Sequence, residues 1–383
     1  MRKLGFLIKQ LIKMFSQTVI LPFCYMLYRG KRINKRLVVF ADAHNHKMPY
    51  SMKLLHKKFE ESGYEVVDIF SDYGHDGFLT TFVNMLRFTK LYAQAGCVII
   101  CDYFLPVSAP RKKPGTKVVQ LWHACGIFKR FAYEAQDDIP KYYKVKVIKN
   151  YDLVTVSSPA CVPVYSRAMR VNDGVVRATG VSRTDIYFCG EYREKCRKKL
   201  YELYPEARGK KLAVWAPTFR GNAALPYLEG REDVLRLREQ LPEDWYLLIR
   251  LHPHFHDKEI SCDIPTEELL PVTDVLISDY STVIFEYSLF EKPLILFAPD
   301  YDTYGSKRGF YIDYTSLPGR IVTDKNELAA AITEEYSSFD KEKMRRFREE
   351  YMSGCDGKAT ERIFDIITKN KMSDKNNRKE KKL

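Results

Sequence analysis

The chain has 383 residues, 45% hydrophobic and 13% aromatic, enough for two ordinary domains with separate cores, which excludes a disordered or fibrous protein. Its nine cysteines form no CxxC pair and no paired metal-ligand spacing, which excludes a disulfide framework or zinc ribbon and reads as free thiols in a reducing compartment. The formal charge of +13 sits at the two ends, residues 1–36 holding nine Lys or Arg and no acid and residues 369–383 seven basic and two acidic side chains, so the body carries −1, a distribution that argues against a nucleic-acid enzyme.

At the N-terminus, Leu4, Leu7, Ile8, Leu11 and Ile12 recur at helical spacing with Lys3, Lys9 and Lys13 among them, the pattern of a basic amphipathic helix. A second apolar run, Val19 to Tyr28, is interrupted by Pro22 and is about half the ~20 residues that a spanning helix requires. No A-x-A-like cleavage site follows, and Arg29 to Arg36 is strongly basic. Residues 1–36 are therefore expected to touch an anionic membrane surface, with a helix packed on the protein's own body as the alternative.

After Arg36, short β-rich runs alternate with stretches of helical period, as in a parallel sheet wound by crossover helices. The expected strands are RLVVFADA from Arg36, YEVVDIF from Tyr64, CVIICDY from Cys97, KVVQLWHA from Lys117, DLVTVSS from Asp152 and VVRATG from Val175. A second set comprises KLAVWAPT from Lys211, WYLLIRLHP from Trp245, VLISDYS from Val275 and LILFAPD from Leu294. The pattern predicts an α/β chain with two Rossmann-like domains, residues 37–175 and 176–368, and a basic disordered tail over 369–383. Ligands of such sheets bind beyond the carboxyl ends of the strands, and the polar residues of this chain cluster there.

Taken in chain order, His44 to His46 form an HNH triplet without the rest of a nuclease pattern. His123 follows a buried strand and is flanked by Ala124, Cys125 and Gly126, small residues that let a ligand approach the backbone; its imidazole could deprotonate an alcohol or could be a core histidine. Lys129 and Arg130 close by could hold an acceptor phosphate. His252 and His254 end an apolar strand beside Arg250, a pairing suited to charge on a leaving pyrophosphate oxygen, with zinc as the competing and less favoured ligand. Ser281 or Thr282 opens an apolar helix at Val283, either as a plain cap or as an anion site, and Glu286 stands one turn on, where a carboxylate could accept from ribose hydroxyls. Asp300 and Asp302 make a D-x-D pair, a weak signal from which no obligatory metal is expected.

The segment LWHACGIFK resembles the WHG-type motif of the CDP-glycerol glycerophosphotransferases of teichoic acid synthesis. ATGVSRTD, VWAPTFRG, IRLHPHF, LISDYSTVIFEYSLFEKPLILFAPD and YGSKRGFYIDYTSLPGRIV follow in that family's order, so the resemblance is strong over residues 115–325. It implies a glycosyltransferase-B-like pair of domains facing across a cleft, with the CDP-alcohol on the second domain and the acceptor entering from the first. Carried over residue by residue, it makes His123 the general base and sets His252 at the donor pyrophosphate. Ser281, Thr282 and Arg308 become phosphate partners. Glu286 stands where the family often has Asp, and Ala124 and Cys125 where glycine and a small hydroxyl residue are usual. The resemblance further implies CDP-glycerol as donor, no obligatory cofactor, a membrane lipid-linked saccharide acceptor, and a peripheral place on the cytoplasmic face of the cell membrane. CDP-ribitol as donor, or a membrane-surface scaffold without activity, are the alternatives, and the length of the chain favours a primase over a polymerase.

Overall fold

The computed structural model describes residues 10–136, 138–218, 220–222, 225–251, 260–302 and 309–369. A first sheet is built from β1 (Asn34–Asp42), β2 (Glu65–Phe70), β3 (Ala95–Ile100), β4 (Lys117–Gln120), β5 (Leu153–Thr155) and β6 (Val176–Arg177), all parallel, in the order β2-β1-β3-β4-β5-β6. A second contains β7 (Lys211–Trp215), β10 (Trp245–Ile249), β11 (Val275–Ser278), β12 (Leu294–Phe297) and β13 (Arg320–Val322), parallel, in the order β10-β7-β11-β12-β13. A small antiparallel hairpin, β8 (Arg220–Asn222) with β9 (Leu225–Tyr227), stands apart from it.

The strands are short Val, Ile and Leu runs because helices cover both faces of each sheet. Val38, Val39 and Phe40 of β1 and Leu276 and Ile277 of β11 are all buried, although consecutive residues point to opposite faces. In both sheets the chain lays its second strand on one side of the first and its third on the other. The crevices therefore open at the carboxyl ends between β1 and β3 and between β7 and β11.

The expected division between residues 175 and 176 moves. β6 pairs with β5 in the first sheet, and the C-terminal helix Ala359–Thr368 returns to that domain, packing Phe364 against Phe59 with ring centroids 4.9 Å apart and pairing Glu361 with Lys58 at 2.7 Å. The return is anchored by Asp185, whose carboxylate accepts from the Ala359 and Thr360 N–H groups at 3.0 and 2.7 Å. The chain crosses itself where Gly180 (φ +78°) meets Gly354: a Cβ on Gly180 would stand 2.0 Å from the Gly354 carbonyl oxygen, so only glycine fits.

The N-terminal segment also differs from its expectation. One helix, Gln10–Tyr28, runs through Pro22 and is long and apolar enough to cross a membrane by length and composition alone. A wider π-type turn over Ser16–Ile20, in which the Leu21 N–H reaches the Ser16 carbonyl, adjusts the ladder just ahead of the ring that cannot donate. One face is buried through Gln17, Leu21 and Tyr25, with Tyr25 5.3 Å from Tyr92. The other exposes Leu11, Phe15, Val19, Phe23, Met26 and Leu27. Residues 1–9 and the tail from residue 370 lie outside the described residues.

Removing the Asp185 carboxylate leaves two helix-start N–H groups without their acceptor, so Asp185→Ala should cost about 1–2 kcal/mol. The expected result is a Tm lowered by a few degrees in calorimetry; an unchanged melt would show that the C-terminal helix docks without this anchor.

Candidate active site between the two sheets

β4 ends in Gln120, and the backbone then turns sharply: Trp122 adopts φ +60°, a left-handed conformation that costs a bulky residue about 1–3 kcal/mol. The turn is held by the Gln120 side chain, which accepts from the Trp122 N–H at 2.9 Å and donates to the Asp102 carbonyl at 2.9 Å. Its effect is to present His123 beyond the strand ends, 51% exposed, with its ring 4.5 Å from that of Trp122. His123 Nδ1 stands 3.3 Å from Asp102 Oδ2. A carboxylate on one ring nitrogen fixes the tautomer that leaves the other able to accept a proton.

Electrostatics fit that role. Burial alone would raise the Asp102 carboxyl, but the His123 imidazole and the Tyr103 N–H outweigh it and hold the group below its ordinary value. Burial would lower the His123 imidazole; the Asp102 carboxylate outweighs it and the ring is raised, while the Arg183 charge pulls the other way.

The loop that carries His123 lies directly on the second half. Gly126 (φ +65°) meets the Phe285 ring so closely that a Cβ would fall 2.0 Å from it. Phe285 belongs to the helix Val283–Tyr287, which follows β11 and the Ser281–Thr282 turn. Ser281 Oγ accepts from the Val283 N–H at 3.3 Å, and Thr282 makes no side-chain cap. The helix is one and a half turns, extended by a 3-10 turn over Ser288–Phe290, so its dipole is smaller than a long helix would give.

Glu286 is buried, and both carboxylate oxygens are engaged: Arg183 pairs with Oε1, and Tyr187 Oη donates to Oε2 at 3.2 Å. Lys129 and Arg130, expected to face an acceptor, are tied by their backbone to the second half. Lys129 bridges to Phe310, the Arg130 N–H reaches the Gly309 carbonyl at 3.2 Å, and the Phe128 and Phe310 rings stack at 4.6 Å. Arg308 immediately precedes this pairing but lies outside the described residues, as do His252 and His254. The strand leading to those histidines is placed: Arg250, just past β10, donates its N–H to the Trp215 carbonyl at the end of β7.

The D-x-D pair is split by its surroundings. Arg220 forks onto both Asp300 oxygens at 2.7 and 3.0 Å and reaches Asp279 at 2.8 Å, so Asp300 serves a buried ion-pair cluster. Among the described residues no group of three or more His, Cys, Asp or Glu is arranged to hold a metal ion. The HNH triplet is likewise dispersed, with the His44 N–H on Asp42 and His46 beside Asp76.

Asp102 and Arg183 take part in the site without having been singled out from the sequence. Asp102 is the last but one residue of the CVIICDY run, and its place just past a strand's carboxyl end was the available signal. Arg183 lies in ATGVSRTD, where spacing gives no hint that it reaches back to the Ser51 hydroxyl at 3.0 Å and the His123 carbonyl at 2.6 Å.

The family model described as CDP-Glycerol:Poly(glycerophosphate) glycerophosphotransferase matches residues 23–369. The chain is 34% identical over 303 residues to the teichoic acid ribitol-phosphate primase of Bacillus spizizenii, covering 73% of this chain and 77% of that protein. It is 30% identical over 307 residues to the teichoic acid glycerol-phosphate primase of Bacillus subtilis, covering 74% and 76%. Among solved structures, that of the wall teichoic acid polymerase TagF superposes with a TM-score of 0.72 at 22% identity, over 94% of this chain and 97% of that one, a likeness of fold.

Asp102→Asn keeps the shape but removes the charge that raises the His123 imidazole. An NMR titration of the ring should find its pKa lower in the variant; a pKa equal to that of the unaltered protein would dissociate the two residues.

Proposed function

The chain belongs to the CDP-glycerol:poly(glycerophosphate) glycerophosphotransferase family, and on that footing we propose that it transfers glycerol phosphate from CDP-glycerol to a hydroxyl of a membrane lipid-linked acceptor, releasing CMP, in teichoic acid or related cell-surface polymer synthesis. The observation that carries this reading is the placement of an Asp102-backed imidazole on a loop that packs against Phe285 of the helix Val283–Tyr287, which follows the Ser281–Thr282 turn of the opposite half. His123 Nε2 takes the proton of the acceptor hydroxyl as its oxygen attacks the β-phosphorus of the donor. A new P–O bond forms, the bond from that phosphorus to the bridging oxygen breaks, and the electron pair leaves with CMP. Ser281 and Thr282 face the diphosphate, and His252, His254 and Arg308 are assigned to the charge that develops on the leaving group, with Lys129 and Arg130 at the acceptor. Glu286 holds the ribose through lone pairs not used by Arg183 and Tyr187. No cofactor is obligatory in this scheme.

A second reading, CDP-ribitol as donor, is favoured by the 34% identity to a ribitol-phosphate primase.

The acceptor is reached from the cytoplasmic face of the membrane, where the protein binds peripherally through the exposed stripe of Gln10–Tyr28. A basic loop supports that placement: the Lys146 carbonyl accepts from Gln17 of the helix, Lys13 lies over Tyr143, and Lys141 and Lys144 flank them.

With CDP-glycerol and CDP-ribitol offered separately with lipid-linked acceptors, CMP release is expected from the former. His123→Ala should reduce it by about 10² to 10⁴ while CDP-glycerol still raises the Tm of the variant. Release by CDP-ribitol alone would install the second reading, and release from neither would overturn both. Phe15→Ser with Phe23→Ser should lose co-sedimentation with phosphatidylglycerol vesicles; retained binding would remove the helix from this role.

A further inference from the structure

Arg183 is largely enclosed, charged and shared by both halves. Its guanidinium donates to the His123 carbonyl at 2.6 Å and to Ser51 at 3.0 Å in the first domain, and pairs with Glu286 in the second. The two side chains are 11% and 10% exposed, and the Arg183 Nε has no partner among the described residues. Burying such a pair costs several kcal/mol per ion, and a well-packed apolar pair of similar volume is often as stable. Stability therefore does not account for it.

Geometry does. Between Trp122 and Gly126 the backbone has left the sheet, with left-handed residues at both ends. One N–H of a planar fork holds the carbonyl of His123 itself, and the other arm of the same fork is fixed to the helix that follows Ser281 and Thr282. Fork-like bidentate contacts of arginine fix angle as well as distance, which a lysine ammonium cannot do.

We propose that Arg183 is a positioning residue for the transfer reaction, its buried pair with Glu286 setting the His123 imidazole at a fixed separation from the turn that faces the donor diphosphate. The proposal rests on His123 being the base. It has a second consequence, because the Arg183 charge opposes that of Asp102 at the ring. The charged groups that act on His123 are Asp102 from the loop after β3 and Arg183, with His44 from the loop after β1 acting on Asp102, and Glu286, Tyr187 and the Cys125 thiol behind Arg183. Among them Arg183 is the cation that disfavours a protonated ring. Without it the ring stays protonated to higher pH and the acid limb of the kcat profile moves up.

The test uses the full chain and measures kcat, KM for CDP-glycerol, the kcat–pH profile and the thermal melt for Arg183→Lys, Arg183→Met, Glu286→Gln and the Arg183→Met/Glu286→Gln pair. Arg183→Met leaves Glu286 buried and unpaired and is expected to melt early, whereas the paired variant removes both charges and should recover the melt. Its kcat should nevertheless fall by about 10²-fold, the scale of an ångström-level misplacement, with KM moved no further than in Glu286→Gln. The acid limb should shift to higher pH in the variants that lack the Arg183 charge, and Arg183→Lys should lower kcat without that shift. A paired variant that folds and regains full kcat, or one that loses kcat with an unmoved acid limb, would overturn the proposal. Failure of the underlying reading looks different: His123→Ala would then retain turnover.

Discussion

The architecture depends on a seam. Residues 122–131 of the first domain are laid against the helix Val283–Tyr287 and the strand-like segment 309–311 of the second, and the proposed transfer crosses that contact. Three kinds of force close it: Gly126 pressed on Phe285, the stacked rings of Phe128 and Phe310, and the buried ion pair of Arg183 with Glu286. The aromatic contacts provide area without direction, and the guanidinium provides direction. The loop that carries an imidazole at the carboxyl ends of one parallel sheet is thereby joined to the helix that follows a turn at the carboxyl ends of another.

Much of the fold was legible in the sequence, because parallel strands buried on both faces are written as unbroken apolar runs. Ten expected strands occur, from β1 at VVFAD to β12 at LILF, with ends that differ by a few residues where the polar strand-end residues leave the ladder. The remaining strands were not legible. β13 is three residues long, and the β8–β9 hairpin has no alternating pattern to announce it. Nor could periodicity show that β6 and Ala359–Thr368 belong to the first domain, since both are placed by contacts distant in sequence: strand pairing with β5 and the carboxylate of Asp185.

The site divides in the same way. His123 was found because it follows a strand, and so do Ser281 and Thr282. What spacing could not reveal is how charges pair in space. Glu286 reads along the chain as a carboxylate one turn into a helix, yet in the fold it faces a guanidinium from a hundred residues earlier, and Asp300 of the D-x-D pair is taken by Arg220. The N-terminal helix is a related case. Pro22 suggested a break, but a π-type turn absorbs it and leaves a continuous apolar stripe beside a lysine-bearing loop.

The central claim is that one donor molecule is held between these two halves, with its β-phosphorus presented to a hydroxyl on His123. A crystal structure of the full chain soaked with CDP-glycerol tests it directly. The diphosphate should lie at the Ser281–Thr282 turn, with His123 Nε2 turned toward the glycerol phosphate and room between them for an acceptor oxygen. A donor bound on another surface, or one bound in the cleft with the His123 ring on the far side of the seam, would contradict it.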